Sequence, residues 1–136
     1  EGKALRERFL SSIPTLRTLK ERVERASGKE YLKGLDGRKI YVRHRHASLN
    51  TLLQGGGAIA MKKAMCILND YIKENKIDAK IVANIHDEWQ IQVKESQSSK
   101  LGELGIKSIQ QAGEYFNMRC PLNGEYKVGD NWSETH

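Results

Sequence analysis

Hydrophobic and polar residues alternate with period two in one stretch of the chain: Ile81, Ala83 and Ile85, then Trp89, Ile91 and Val93. Successive side chains of a strand point to opposite faces, so the alternation predicts two strands joined by a tight turn. His86, Asp87 and Glu88 lie between them, which puts the acid pair Asp87-Glu88 at or near a hairpin tip. That is unfavourable turn chemistry. A tight tip prefers Asn-Gly or Asp-Gly, and two neighbouring carboxylates repel. Such a departure from local preference has a use if the acids hold a divalent cation with oxygen ligands. A solvated acidic turn accounts for these residues equally well.

Elsewhere the apolar period is helical. Leu5, Phe9 and Leu10 give one face of a helix over 3–13. Pro14 ends it and suits the first position of a second helix, to about Ser27, with Leu16, Leu19 and Val23 as its stripe. Arg17, Lys20, Arg22 and Arg25 make that helix basic, but Glu21 and Glu24 interleave, so a solvated mixed-charge face is expected. Asp36-Gly37, between strand-like runs in 31–42, predicts a second hairpin. The longest helix is expected over 47–76, interrupted at Gly55-Gly56-Gly57, where each glycine costs about 1 kcal/mol relative to alanine. A further helix is expected over 97–117, capped by Ser96 or Ser98, with Gly102, Gly105 and Gly113 weakening it. Short strands are expected around 120–122 and 126–128. Strands grouped apart from long helices give an α+β class: an antiparallel sheet packed on long helices, after a helical N-terminal segment.

The 136 residues suit one compact domain, and no apolar run is long enough to span a bilayer. The formal net charge of +6 favours polyanionic partners such as nucleic acid. Cys66 and Cys120, far apart, fit reduced thiols in a cytoplasmic compartment. A start at Glu1 rather than Met suggests a chain processed or excised from something longer.

Two further groups of residues carry candidate chemistry. Arg43-His44-Arg45-His46 alternates basic side chains on the way into the long helix, and meets phosphate more readily than zinc, which usually needs four clustered ligands. His46, Asn50 and Gln54 are spaced four apart on one helical face. They suit base edges in a groove, or equally the capping of a neighbouring loop.

Four stretches together resemble the C-terminal end of a family A DNA polymerase, in the form found in short-tailed phages. They are Leu35-Asp36-Gly37-Arg38-Lys39, His46 with Leu49-Asn50-Thr51-Leu52-Leu53-Gln54, Ile85-His86-Asp87-Glu88, and Asn131-Trp132 near His136. The resemblance covers essentially the whole chain. It implies that Asp87 is the motif C ligand of a two-magnesium site, with Glu88 a secondary neighbour. It implies that His86 lies against the primer end and that Asn50 and Gln54 contact the minor groove near it. His46 sits where an arginine is often found; Arg43 and Arg45, from the alternating basic segment, are expected to contact phosphate. Residues 1–28 resemble the end of the fingers, and 29–136 the palm. The resemblance also implies what lies elsewhere: a second metal-binding aspartate and the nucleotide-binding helix.

The expected partners are therefore a DNA primer-template, a deoxynucleoside triphosphate and an N-terminal polymerase portion, on the same precursor or a separate chain. The isolated chain is expected to be inactive, and the enzyme to work in the cytoplasm, of a host cell if phage-encoded. A non-catalytic basic nucleic-acid-binding module is the alternative. A metal hydrolase using His86, Asp87 and the His44/His46 pair is a third reading.

Overall fold

A computed structural model describes residues 1–29 and 31–135, without the side chain of Lys29. His136 therefore lies outside the described residues. The contacts divide the chain into two compact units, Glu1–Gly56 and Gly57–His136.

The first unit opens with α1 (Gly2–Ser12) and α2 (Pro14–Ala26), with Pro14 at the helix start as expected. Leu10 and Val23 are buried, but Leu5 and Phe9 are more than half exposed, so the expected apolar face of α1 is buried only at Leu10. Arg17 clips the two helices together through the Glu7 carboxylate at 3.1 Å and the Ser11 hydroxyl at 2.9 Å. Strands β1 (Tyr31–Lys33) and β2 (Lys39–Tyr41) form an antiparallel hairpin. Its loop is closed by the Gly34 N–H on the Arg38 carbonyl at 2.8 Å, and Gly37 takes the positive φ of 87° that the Asp-Gly signal predicts. A single 3-10 turn, Arg45–Ala47, then leads into α3 (Ser48–Glu74).

α3 runs unbroken through Gly55-Gly56-Gly57, contrary to the expected interruption. In the second unit its later turns bury Ile59, Ala60, Ala64 and Leu68, and α4 (Glu95–Tyr115) buries Leu101, Ser108 and Ala112. Tyr71 Oη donates to Gln111 Oε1 at 2.7 Å, and Lys63 and Lys107 lie over the rings of Tyr115 and Tyr71.

Both helices end in the same way. Ile77 N–H reaches the Ile72 carbonyl at 2.9 Å and Lys76 N–H the Lys73 carbonyl, with Lys76 at φ 52°. Met118 reaches Gly113 and Asn117 reaches Glu114, with Asn117 at φ 52°. These are Schellman caps built without glycine. The start of α4 differs from expectation. Lys94 is the N-cap and makes no side-chain cap bond, while Ser98 Oγ donates back to the Glu95 carbonyl.

Between α3 and α4, β3 (Ala79–Ile85) and β4 (Glu88–Val93) form the second hairpin. The two hairpins are two-stranded antiparallel sheets set among long helices, so the architecture is α+β as expected. The strands expected in the tail are absent; no residue of 116–131 is in a strand. The tail lies along α4 instead. A Cβ on Gly102 would fall 2.4 Å from the Tyr126 ring, and one on Gly113 would fall 3.0 Å from Leu122. The chain closes with α5 (Trp132–Thr135).

Candidate functional site

The register of β3 and β4 sets the site. Ala79, Lys80 and Ile81 pair with Val93, Gln92 and Ile91, but Ala83, Asn84 and Ile85 pair with Gln90, Trp89 and Glu88. The shift by one leaves Val82 as the extra residue of a bulge, 63% exposed. Carried on unshifted, the outer register would set Ile85 against Asp87 and leave one residue to turn the chain. The bulge supplies the second, since antiparallel strands close comfortably over two.

The tip is therefore His86-Asp87, and Glu88 is the first residue of β4 rather than part of the turn. His86 takes the left-handed φ of 54°, a value that non-glycine residues adopt at a cost. The slip also re-sorts the faces. Beyond the bulge, Glu88 and Gln90 stand opposite Ile85 and Ala83, where uninterrupted alternation puts Trp89 and Ile91 in line with them.

The two carboxylates thus have different surroundings. Asp87 is exposed on the turn. Glu88 is half-buried, and its Oε1 accepts from Gln90 Nε2 and, at 3.1 Å, from Trp132 Nε1 of α5. Gln90 Oε1 in turn accepts from Thr135 Oγ1 at 3.2 Å. α5 is itself held by Glu134, whose carboxylate accepts from the Asp130 N–H at 2.9 Å and from Asn131 Nδ2 at 2.6 Å. Gln90, Trp132 and Thr135 are site residues that the alternation did not single out. Trp132 has a signal only in the Asn131-Trp132 stretch that the resemblance uses; Gln90 and Thr135 have none.

The remaining candidates lie in the first unit. Asn50 and Gln54 are exposed one turn apart on α3. His46 is not on that helix but in the 3-10 turn before it, exposed and stacked on His44 at 5.6 Å with 14° between the rings. Arg43 is exposed. Arg45 is exposed too, but its Nε donates to the Glu24 carbonyl at 3.0 Å, so part of its hydrogen-bonding capacity ties the turn to the end of α2.

Two carboxylates of this unit are shifted. The hydrogen bond from Lys20 holds the Glu24 carboxyl below its usual range against the opposing effect of burial, with the charges of Lys20, Arg45 and Arg6 adding. Arg38 does the same for Asp36, mainly by its side-chain hydrogen bond at 2.7 Å.

Among the described residues no three of His, Cys, Asp and Glu stand together as metal ligands. At the hairpin, one exposed carboxylate suits a hard divalent cation, which takes several oxygen ligands, so the donor set fits as part of a site. Cys66 and Cys120 are exposed free thiols. No helix among the described residues is long and apolar enough to cross a membrane.

Residues 1–134 match the model of DNA polymerase family A, so the chain belongs to the family A DNA polymerases. It is 41% identical over 143 residues to the DNA-directed DNA polymerase of Escherichia phage Phieco32, covering 100% of this chain and 23% of that protein. With the DNA-directed DNA polymerase of Escherichia phage T7 it shares 31% over 160 residues, 99% of this chain and 22% of the relative. The chain spans about a fifth to a quarter of the length of these relatives. Its fold is similar to the POL domain of Pol1 from M. smegmatis, solved in complex with DNA primer-template and dNTP. The TM-score is 0.72 at 24% identity, over 81% of this chain and 22% of that one.

Proposed function

We propose that this chain is the motif C part of a template-directed DNA polymerase, extending a primer with deoxynucleoside triphosphates by two-metal phosphoryl transfer. In the whole enzyme the primer 3′-hydroxyl attacks the α-phosphorus of the incoming nucleotide and pyrophosphate leaves. The observation that carries the reading is the two-residue tip of β3–β4, which presents Asp87 to solvent while Glu88 is held back in a hydrogen-bonded network.

Asp87 would hold magnesium, with a second carboxylate supplied by an N-terminal polymerase portion. Magnesium, when bound, supplies charge stabilisation to the reacting phosphate. Glu88 adds negative charge beside Asp87 and anchors the turn. His86 lies against the primer end, and Asn50, Gln54 and His46 face the primer-template, with Arg43 and Arg45 on its phosphates. Residues 1–28 correspond to the end of the fingers and 29–136 to the palm. The compartment is the cytoplasm in which the DNA is copied.

Primer extension tests this directly. The 136-residue chain alone incorporates no nucleotide, with or without magnesium. Incorporation appears when a polypeptide with the upstream aspartate motif and nucleotide-binding helix is added. A chain that binds duplex but never supports synthesis in that mixture is a basic DNA-binding module instead.

A further inference from the structure

We propose that α5 is a positioning clasp for the β3–β4 tip, with Trp132 as its working residue: the indole N–H fixes the Glu88 carboxylate, and thereby the turn that carries Asp87. The functional meaning of the clasp rests on the polymerase reading above; its physical existence does not.

The tip needs such a device. A two-stranded hairpin is marginal by itself, and this one turns through His86 in the left-handed region, at a steric cost to a residue that carries a Cβ. A carboxylate on an unsupported tip would sample many geometries, whereas metal chemistry needs one.

The contacts are matched in spacing. Trp132 and Thr135 are three apart on α5 and so share a face; Glu88 and Gln90 are two apart on β4 and so share a face. Trp132 donates to Glu88 at 3.1 Å and Gln90 donates to Glu88, while the one Thr135 O–H is shared between Gln90 Oε1 and the Trp132 carbonyl, each at 3.2 Å. The bulge at Val82 makes this possible, because it brings Glu88 into pairing as the first residue of β4.

The Trp132 ring is 49% exposed, so burial alone gives weak reason for an indole there. Among the aromatic hydrocarbon-like rings of Phe, Tyr and Trp, only Trp carries a ring N–H. A bond from it to an ionised carboxylate is stronger than one between neutral groups. Four residues of helix are too few to hold themselves, and Glu134 folds them onto the preceding loop through Asp130 and Asn131. The clasp is therefore pre-shaped before it meets the hairpin.

Amide hydrogen exchange on the 136-residue chain, without DNA or metal, tests the clasp. Trp132→Phe keeps the ring and removes the donor. The amides of residues 84–89 then exchange about tenfold faster, while those of α4 keep their wild-type rates. Glu88→Gln, which keeps an acceptor oxygen, raises tip exchange by roughly threefold at most. Unchanged tip exchange in Trp132→Phe overturns the clasp. A rise of equal size in α4 also overturns it, because Trp132 then stabilises the unit as a whole.

In the complemented enzyme, Trp132→Phe lowers kcat with KM for primer-template unchanged. A raised KM at unchanged kcat makes Trp132 a DNA contact instead. If the wild-type mixture makes no DNA, the polymerase reading fails, and the exchange result still decides the clasp.

Discussion

The ring of Tyr126 lies so close over Gly102 that a Cβ added there would stand 2.4 Å from it, against backbone-proximal ring atoms rather than the far end of the side chain. α4 therefore carries glycine as a notch for the tail. Gly105, on the same helix, has nothing within 4 Å of its added Cβ. The two positions separate packing from propensity. Gly102→Ala displaces Tyr126 and destabilises the chain by about 1–3 kcal/mol. Gly105→Ala stabilises it by up to about 1 kcal/mol. Thermal and denaturant unfolding of both variants measures the contrast; equal and opposite signs to these would mean the tail does not lie on α4.

His86 turns the hairpin with a φ of 54°. Glycine adopts that conformation without steric cost, so His86→Gly holds or raises stability, by up to about 1 kcal/mol. A β-branched residue resists it, so His86→Val lowers stability by a similar amount or more. If His86 also meets the primer end, His86→Gly loses synthesis in the complemented enzyme while gaining stability. Paired melting and extension assays on the two variants check this.

The carboxyls of Glu24 and Asp36 are both depressed from their ordinary values of 4.5 and 3.8. The stabilisation they carry is therefore fully present above those values and is lost as the pH falls through the lower values in the folded chain. Carboxyl-carbon NMR titration is expected to find both midpoints shifted down, Glu24 returning upward in Lys20→Ala and Asp36 in Arg38→Ala. Salt reduces the shifts, more at the Arg38–Asp36 pair, where Arg38 is exposed, than at the part-buried Lys20–Glu24 pair.

Much of the fold is legible in the residues. Pro14 starts α2, Asp36-Gly37 turns the first hairpin, and alternation marks β3 and β4 to within a residue or two. The misreadings have physical causes. Lys76 and Asn117 cap helices in a conformation usually signalled by glycine, so the residues predict both helices about two positions too long at that end. The glycines at 55–57 do not break α3; only Gly55 has a close neighbour, Ile40 Cδ1 at 3.0 Å from its added Cβ. The bulge at Val82 has no residue signature, since Val is an ordinary strand residue. Strict period two carried across it puts both acids at the tip, and only the register separates Asp87 from Glu88. The link from Trp132 to Glu88 spans 44 positions and leaves no local pattern.

Duplex DNA binding by the chain is expected to be weak and largely independent of sequence, and to fall steeply with salt as phosphate contacts release counterions. Arg43→Ala lowers the slope of log affinity against log salt by about one. Asn50→Ala and Gln54→Ala weaken binding without changing that slope, because neither carries charge. Titration of a labelled primer-template at several salt concentrations separates the two effects.

In the proposed reaction Asp87, and not Glu88, carries the metal-dependent chemistry. Asp87→Asn keeps the shape of the exposed turn and removes one charge, and Glu88→Gln keeps the acceptor that Trp132 uses. Single-turnover incorporation by the complemented enzyme is the decisive measurement. The account predicts a loss of roughly 10²–10³-fold or more for Asp87→Asn and a much smaller one for Glu88→Gln, with both variants folded. An Asp87→Asn enzyme as fast as wild type, or a larger loss from Glu88→Gln, would contradict it.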